Sequence, residues 1–182
     1  MSTAELAELL EGAREEDSGA RDALMAAACR ELQWRLSPEV SELTPQHPVR
    51  LVEEAWARLF AAGVTLESRP RFLCAASRAM RKVLVDRARA PLLLRRAARR
   101  ERVSLRHLGD EAPAGAELEV LQLEEALSEL ESFQPRLARL VELRYFAGLS
   151  LSDTAGVLEV SQATARRDWS YVRVWLTERL SH

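Results

Sequence analysis

The stretch GLSLSDTAGVLEVSQATARRDW, residues 148–169, contains two short helical patterns joined by a tight connection. Ser150, followed three residues later by Asp153, forms an N-terminal capping pair, and Ser161 can cap a second helix in the same way. Apolar residues in this second helix recur at steps of three and four and predict one buried face along its whole length: Ala165, Trp169, Val172, Leu176 and Leu180. The pattern predicts a helix-turn-helix.

The first turns of the second helix present a small residue, polar side chains and two arginines outward: Gln162, Ala163, Thr164, Arg166 and Arg167. A small residue allows close approach, polar side chains can reach base edges, and arginines suit guanine edges or phosphates. This composition is typical of a DNA recognition helix. Glu159 occupies the connection where a left-handed residue, often Gly, is usual. That conformation costs a non-Gly residue about 1 kcal/mol, so we expect a looser turn.

Charge is strongly segregated along the 182 residues, although the net charge is only -2. Residues 1–68 carry 13 acidic and six basic residues, and residues 107–182 carry 13 acidic and seven basic residues. Residues 69–106, by contrast, contain 13 basic residues and only two acidic ones, Asp86 and Glu101. A basic centre in a nearly neutral chain predicts a polyanion as the partner of one surface.

The composition favours an all-α protein, because Leu and Ala abound and runs of β-branched residues with period-two alternation are absent. No apolar run approaches the roughly 18 residues of a membrane span, and no signal-peptide pattern opens the chain, so we expect a cytoplasmic protein. Cys29 and Cys74 have neither the spacing nor the histidine neighbours of a zinc site. Without a nucleophile–base pair, phosphate-binding Gly loop or metal cluster, we expect neither an enzyme nor a cofactor.

The front half contains two clear helical patterns after a weakly specified helical region over residues 3–36. VRLVEEAWARLF, residues 49–60, has apolar positions at helical spacing. The helix from Arg71 to about Ala90 has one apolar face and an opposite basic ridge of Arg71, Arg78, Lys82 and Arg89, with few acids interleaved. Arg87 falls towards the apolar side and suggests an exposed helix end.

We expect two small helical domains joined by a flexible linker. Pro91 should stop or kink the basic helix, and the Arg-rich and then Ala/Gly/Pro-rich sequence that follows reads as a connection. The expected division is a front domain over residues 1–94, a linker over 95–117 and a helix-turn-helix domain over 118–182.

The order of these patterns resembles the small two-domain sigma factors of the extracytoplasmic-function (ECF) group, in particular the ECF-like subgroup. LVEEAWARLF and RFLCAASRAMRKVLVDRARA look like its region two, and ARLVELRYFAGLSLSDTAGVLEVSQATARRDWSYVRVWL looks like its region four. The similarity covers roughly residues 44–95 and 120–180. It implies a subunit that binds core RNA polymerase and directs it to promoter DNA.

The resemblance also implies roles for individual residues. The first front helix would dock on the polymerase through Leu51, Val52, Glu53, Glu54 and Arg58. The loop 61–70 and the basic helix would hold the melted minus-ten element, with a positive track of Arg71, Arg78, Arg81, Lys82 and Arg89. Residues 162–167 would enter the major groove of the minus-thirty-five element. We expect a monomer when the protein is free and keep an anti-sigma factor as a further candidate partner.

Two other interpretations stay open at this point. A stand-alone helix-turn-helix regulator would explain the rear half alone. A degenerate sigma-like interaction module would keep the fold without promoter activity. The three differ in whether the protein binds core polymerase, duplex DNA on its own, or a protein without supporting initiation.

Overall fold

The computed structural model describes residues 48–61, 68–101 and 114–181, together with the isolated helical positions Gly19, Ala23 and Ala26. All regular structure in this part of the chain is helical, which confirms the all-α prediction. The continuous helices are α1 (Pro48–Ala61), α2 (Arg69–Glu101), α3 (Ala114–Phe133), α4 (Pro135–Tyr145), α5 (Leu151–Val157) and α6 (Gln162–Leu180). Apart from the three isolated positions, the helical region predicted over residues 3–36 lies outside the described residues, as do residues 62–67 and 102–113.

The two front helices pack along the apolar stripes that the sequence predicts. The α1 residues Leu51, Ala55 and Trp56 are buried against α2, and the Trp56 and Phe72 rings meet edge to face with centroids 5.7 Å apart. Such aromatic pairs add to the hydrophobic gain from burying the rings. This packing fixes α2 with its apolar face inward.

Helix α2 continues through Pro91, so of the two predicted outcomes at this residue, a stop or a kink, the stop is wrong. Proline lacks the N–H that would bond the carbonyl of Arg87, but one missing bond need not end a helix whose neighbouring turns are intact. The helix reaches Glu101, and α3 already begins at Ala114. Both ends of the predicted linker are therefore helical, whereas its centre falls in residues 102–113.

The rear helices α3 to α6 surround a core of leucine and phenylalanine side chains. Leu127, Leu140 and Phe146 are at most 1% exposed. Chain reversal after α4 uses Gly148, whose φ of 57° lies in the left-handed region that glycine adopts without steric cost. The Leu149 N–H then donates to the Leu143 carbonyl at 3.1 Å, which closes this turn and starts the helix-turn-helix.

The front helices (α1 and α2, here the front unit) and the rear helices (α3 to α6, the rear unit) lie against each other. Buried residues of both units belong to one continuous apolar cluster, which includes Met80 and Val83 of α2 and Leu127 and Leu130 of α3. Helix α2 contacts both α3 and α4. The domain boundaries remain a sequence prediction, but α2 is placed directly against the rear unit.

Within the described ranges, no helix is long and apolar enough to cross a lipid bilayer.

Candidate nucleic-acid interface

Both predicted N-terminal caps of the helix-turn-helix are formed. The Ser150 hydroxyl accepts the N–H of Asp153 at 3.0 Å and donates to the Asp153 carboxylate at 2.8 Å. The Ser161 hydroxyl accepts the N–H of Thr164 at 3.0 Å. Each cap satisfies a backbone donor that has no partner inside its own helix, which typically contributes about 1 kcal/mol. The cap at Ser161 therefore fixes Gln162 as the first residue of α6.

The connection between α5 and α6 is tight, so the expected looser turn is wrong. Glu159 has a φ of 55° and takes the left-handed conformation usually given to glycine. Its N–H donates to the Gly156 carbonyl at 3.3 Å, and the Val160 N–H donates to the Ala155 carbonyl at 3.0 Å. This pair of bonds is a Schellman motif, and it offsets the steric cost at Glu159 by satisfying carbonyls at the end of α5.

Helix α6 is anchored by the apolar face that the sequence predicts, except at its end. Ala165 and Val172 are fully buried and Leu176 is 7% exposed, but Leu180, the last residue of the helix, is 41% exposed. The Arg144 guanidinium lies 5.1 Å from the centroid of the half-buried Trp169 ring, at cation–π distance. These contacts hold the opposite face of α6 outward.

The five predicted recognition residues lie in the N-terminal turns of α6. Gln162 donates its amide N–H to the Ser152 hydroxyl at 2.9 Å, and the hydroxyls of Thr164 and Ser161 are hydrogen-bonded at 2.8 Å. Ala163, Arg166 and Arg167 are exposed. The Ser170 hydroxyl donates to the Arg166 backbone carbonyl at 3.0 Å. No described residue forms an ion pair or hydrogen bond with the guanidinium group of Arg166 or Arg167, so both groups are available to a ligand.

A family model matches the sequence of nearly the whole chain. The model, described as ECF sigma factor, matches residues 3–182. The chain belongs to the ECF sigma factor family. No curated protein and no solved structure matches it. Membership gives the protein a role in transcription initiation, with core RNA polymerase and promoter DNA as its partners.

The basic helix of this ECF sigma factor does not expose its cations equally. Arg71, Lys82 and Arg89 are exposed. Arg78, also exposed, donates to the Glu131 carboxylate of α3 at 2.6 Å. Arg81 is buried, with 6% of the residue exposed. The predicted positive track is thus divided between cations that face solvent and cations that pair with the rear unit.

Arg81 lies at the centre of a polar cluster between α2, α3 and α4. Its Nε donates to Glu124 at 2.7 Å, and its Nη1 donates to Glu142 at 2.7 Å and more weakly to Glu131 at 3.5 Å. Its Nη2 donates to the Ser128 hydroxyl at 3.1 Å. We call these residues, with Arg78, the Arg81 cluster.

Burial and hydrogen bonding act in opposite directions on the ionisation of the Arg81 cluster. Burial alone would lower the pKa of Arg81, but the hydrogen bonds and charges of Glu124 and Glu142 outweigh it and raise the pKa overall. Burial raises the pKa of Glu142 above its usual range, and the hydrogen bond from Arg81 opposes this effect. Arg81 therefore stays charged, and its positive charge is what makes a buried carboxylate at Glu142 tolerable.

The five residues predicted to bind polymerase differ in their surroundings: two are buried, two form ion pairs, and one is exposed without a described ion-pair partner. Leu51 and Val52 are at most 2% exposed and hold α1 in place. Arg58 pairs with Asp86 of α2 at 2.5 Å and with Glu54 at 3.8 Å. Glu53 is exposed, and no described residue pairs with it.

Arg87, which the sequence suggested to be near an exposed helix end, instead joins the two front helices. It donates to the Glu54 carboxylate of α1 at 2.9 Å and 2.7 Å. Arg87 lies towards the apolar face of α2 because α1 packs against that face and supplies the Glu54 carboxylate.

The acidic side of the Arg81 cluster was not found by sequence reasoning. A signal was present, since Glu124, Ser128 and Glu131 recur at steps of four and three and therefore share one face of α3. The partner of that face could not be deduced, because Glu142 belongs to another helix and Arg81 lies 43 residues before Glu124.

Proposed function

We propose that this ECF sigma factor binds core RNA polymerase and contacts the minus-thirty-five element through the N-terminal half of α6. The observation that carries the proposal is the pair Arg166 and Arg167, exposed without a described partner at the capped end of an anchored helix. Guanidinium groups in that position can form bidentate bonds with guanine or contact phosphates. Gln162 adds an amide that can reach a base edge once it exchanges its bond to Ser152.

The front unit takes the second promoter contact in this proposal. Lys82 and Arg89 are exposed on α2, with no described residue paired to them, and they supply positive charge for the melted minus-ten element. Glu53 on α1 is the candidate contact to core polymerase, since Glu54 and Arg58 already pair with the neighbouring helix or with each other. The activity would take place in the cytoplasm. A monomeric free state and an anti-sigma partner remain predictions from the sequence.

The test is transcription with purified core polymerase on promoter fragments that were first selected with the wild-type protein. Arg166→Ala and Arg167→Ala should each lower specific transcript about tenfold, because one lost base or phosphate contact removes roughly 1–3 kcal/mol. The matched control is Arg173→Ala, an exposed arginine further along α6 that lies outside the first turns. It should leave transcription unchanged.

Core binding must be measured for the same variants. Arg166→Ala and Arg167→Ala should keep wild-type affinity for core polymerase, and an equal loss of both activities would contradict the assignment to DNA. Tight, specific binding to duplex DNA without polymerase would instead support a stand-alone regulator.

A further inference from the structure

A hydrogen bond joins the first turns of the two helices in the helix-turn-helix. The Gln162 amide of α6 donates an N–H to the Ser152 hydroxyl of α5 at 2.9 Å. We infer that Ser152 is a positioning residue for DNA reading, which orients the Gln162 amide so that α6 selects an adenine base in the major groove. This inference rests on the proposed function, because it requires α6 to lie on the minus-thirty-five element.

The fold fixes both ends of this bond. The caps at Ser150 and Ser161 set the starts of α5 and α6, and the tight turn at Glu159 brings the two starts together. Ser152 is therefore the second residue of α5, and Gln162 is the first residue of α6. The two residues are ten positions apart in the chain, so the bond depends on the geometry of the whole motif.

The bond leaves the Gln162 amide with the groups that recognise adenine. A carboxamide has two N–H donors and a carbonyl oxygen, and the Ser152 hydroxyl takes one of the donors. The other N–H and the carbonyl oxygen match N7 and the N6 amino group of adenine, which glutamine binds bidentately in the major groove. Gln162 can therefore read adenine while it keeps its bond to Ser152.

The bond contributes orientation more than stability. Ser152 and Gln162 are both exposed, so water competes for the bond and its contribution to folding is small. A glutamine side chain, however, loses conformational entropy when it is ordered at an interface. Because Ser152 already holds the amide in the free protein, less of this entropy is lost when the base binds.

Neighbouring polar side chains do not compete for the Ser152 hydroxyl. Asp153 and Thr164 are each bonded to the N-cap serine of their own helix. In the part of the chain that the structure describes, Gln162 is the side chain that is hydrogen-bonded to Ser152. The pair therefore acts as a unit at the outer edge of the motif.

The test is selection of promoter fragments from a pool randomised across the minus-thirty-five element, with holoenzyme reconstituted from each variant and core polymerase. Wild-type holoenzyme should prefer adenine about tenfold at one position, since a bidentate base contact discriminates by roughly this factor. Gln162→Ala should lose this preference, which identifies the position that Gln162 reads. Ser152→Ala should lower it to about threefold at the same position, because the amide is then ordered only on binding.

Two controls separate the hydroxyl of Ser152 from serine removal in general. Ser152→Thr retains a hydroxyl and should keep the wild-type preference. Ser132→Ala removes an exposed hydroxyl from α3, outside the helix-turn-helix, and should also match wild type. In a Gln162→Ala background, Ser152→Ala should change base selection no further, because Ser152 acts through the amide. A further loss in this double variant would show that Ser152 contacts DNA by itself and would overturn the positioning role.

The direction of the Ser152→Ala effect separates two uses of the bond. If Gln162 had to leave Ser152 to reach the base, the alanine variant would prefer adenine more strongly than wild type, and the inference would be overturned. An unchanged preference in Ser152→Ala, or a preference for another base at the position that depends on Gln162, would overturn it as well. These results leave the proposed function standing. Base selection that is unaffected at every position by Gln162→Ala, Arg166→Ala and Arg167→Ala would contradict the proposed function itself.

Discussion

Two helices of this sigma factor carry arginines with the same predicted role, and they differ in what surrounds them. On α6, Arg166 and Arg167 are exposed and unpaired by any described residue. On α2, Arg81 is buried among Glu124, Ser128 and Glu142, and Arg78 is paired with Glu131. The difference teaches that an arginine in the sequence indicates a possible nucleic-acid contact. Whether its guanidinium group is available depends on the acidic residues of the neighbouring helices.

The largest expected effect comes from removing the buried arginine. Arg81→Met should lower the free energy of unfolding by about 3 kcal/mol, because Glu142 is then buried without its counter-charge. The value stays at the low end of such effects since separation of the two units can rehydrate Glu142. Urea unfolding followed by circular dichroism measures the change.

The matching change on the recognition helix is Arg166→Met. Its side chain pairs with no described residue, so the free energy of unfolding should stay within about 0.5 kcal/mol of wild type. Equal destabilisation by the two variants would remove the distinction between the helices.

A smaller effect is expected at the turn that orients α6. Glu159→Gly should raise the free energy of unfolding by about 1 kcal/mol, because glycine adopts a φ of 55° without steric cost. Glu159→Ala is the control, since it removes the carboxylate but keeps the Cβ. Thermal unfolding should show a gain for Gly and none for Ala. A loss of stability in the glycine variant would mean that the turn does not adopt the left-handed conformation in solution.

Local patterns in the sequence predicted the helix-turn-helix well. Caps at Ser150 and Ser161 act over three residues, and the buried face of α6 follows from its periodicity. The sequence identified Glu159 as the residue at the usually left-handed position, but a looser turn was expected there, because the sequence could not show that two backbone hydrogen bonds keep the turn tight.

Contacts between distant segments could not be predicted in the same way. Arg81 was recognised as basic but not as buried, because its acids lie on helices 43 and 61 residues further along the chain. Pro91 was expected to stop or kink α2, yet the helix continues past the single missing hydrogen bond to Glu101. Patterns within one sequence predict neither ion pairs between distant helices nor the persistence of a helix through a proline.

A sigma subunit must bind core RNA polymerase. The most direct test is therefore a titration of the labelled protein with purified bacterial core RNA polymerase, monitored by fluorescence anisotropy. We predict saturable binding with a Kd below about 1 μM, weakened about tenfold by Glu53→Arg, which reverses an exposed charge on α1. Absence of saturable binding by the wild-type protein would contradict the account.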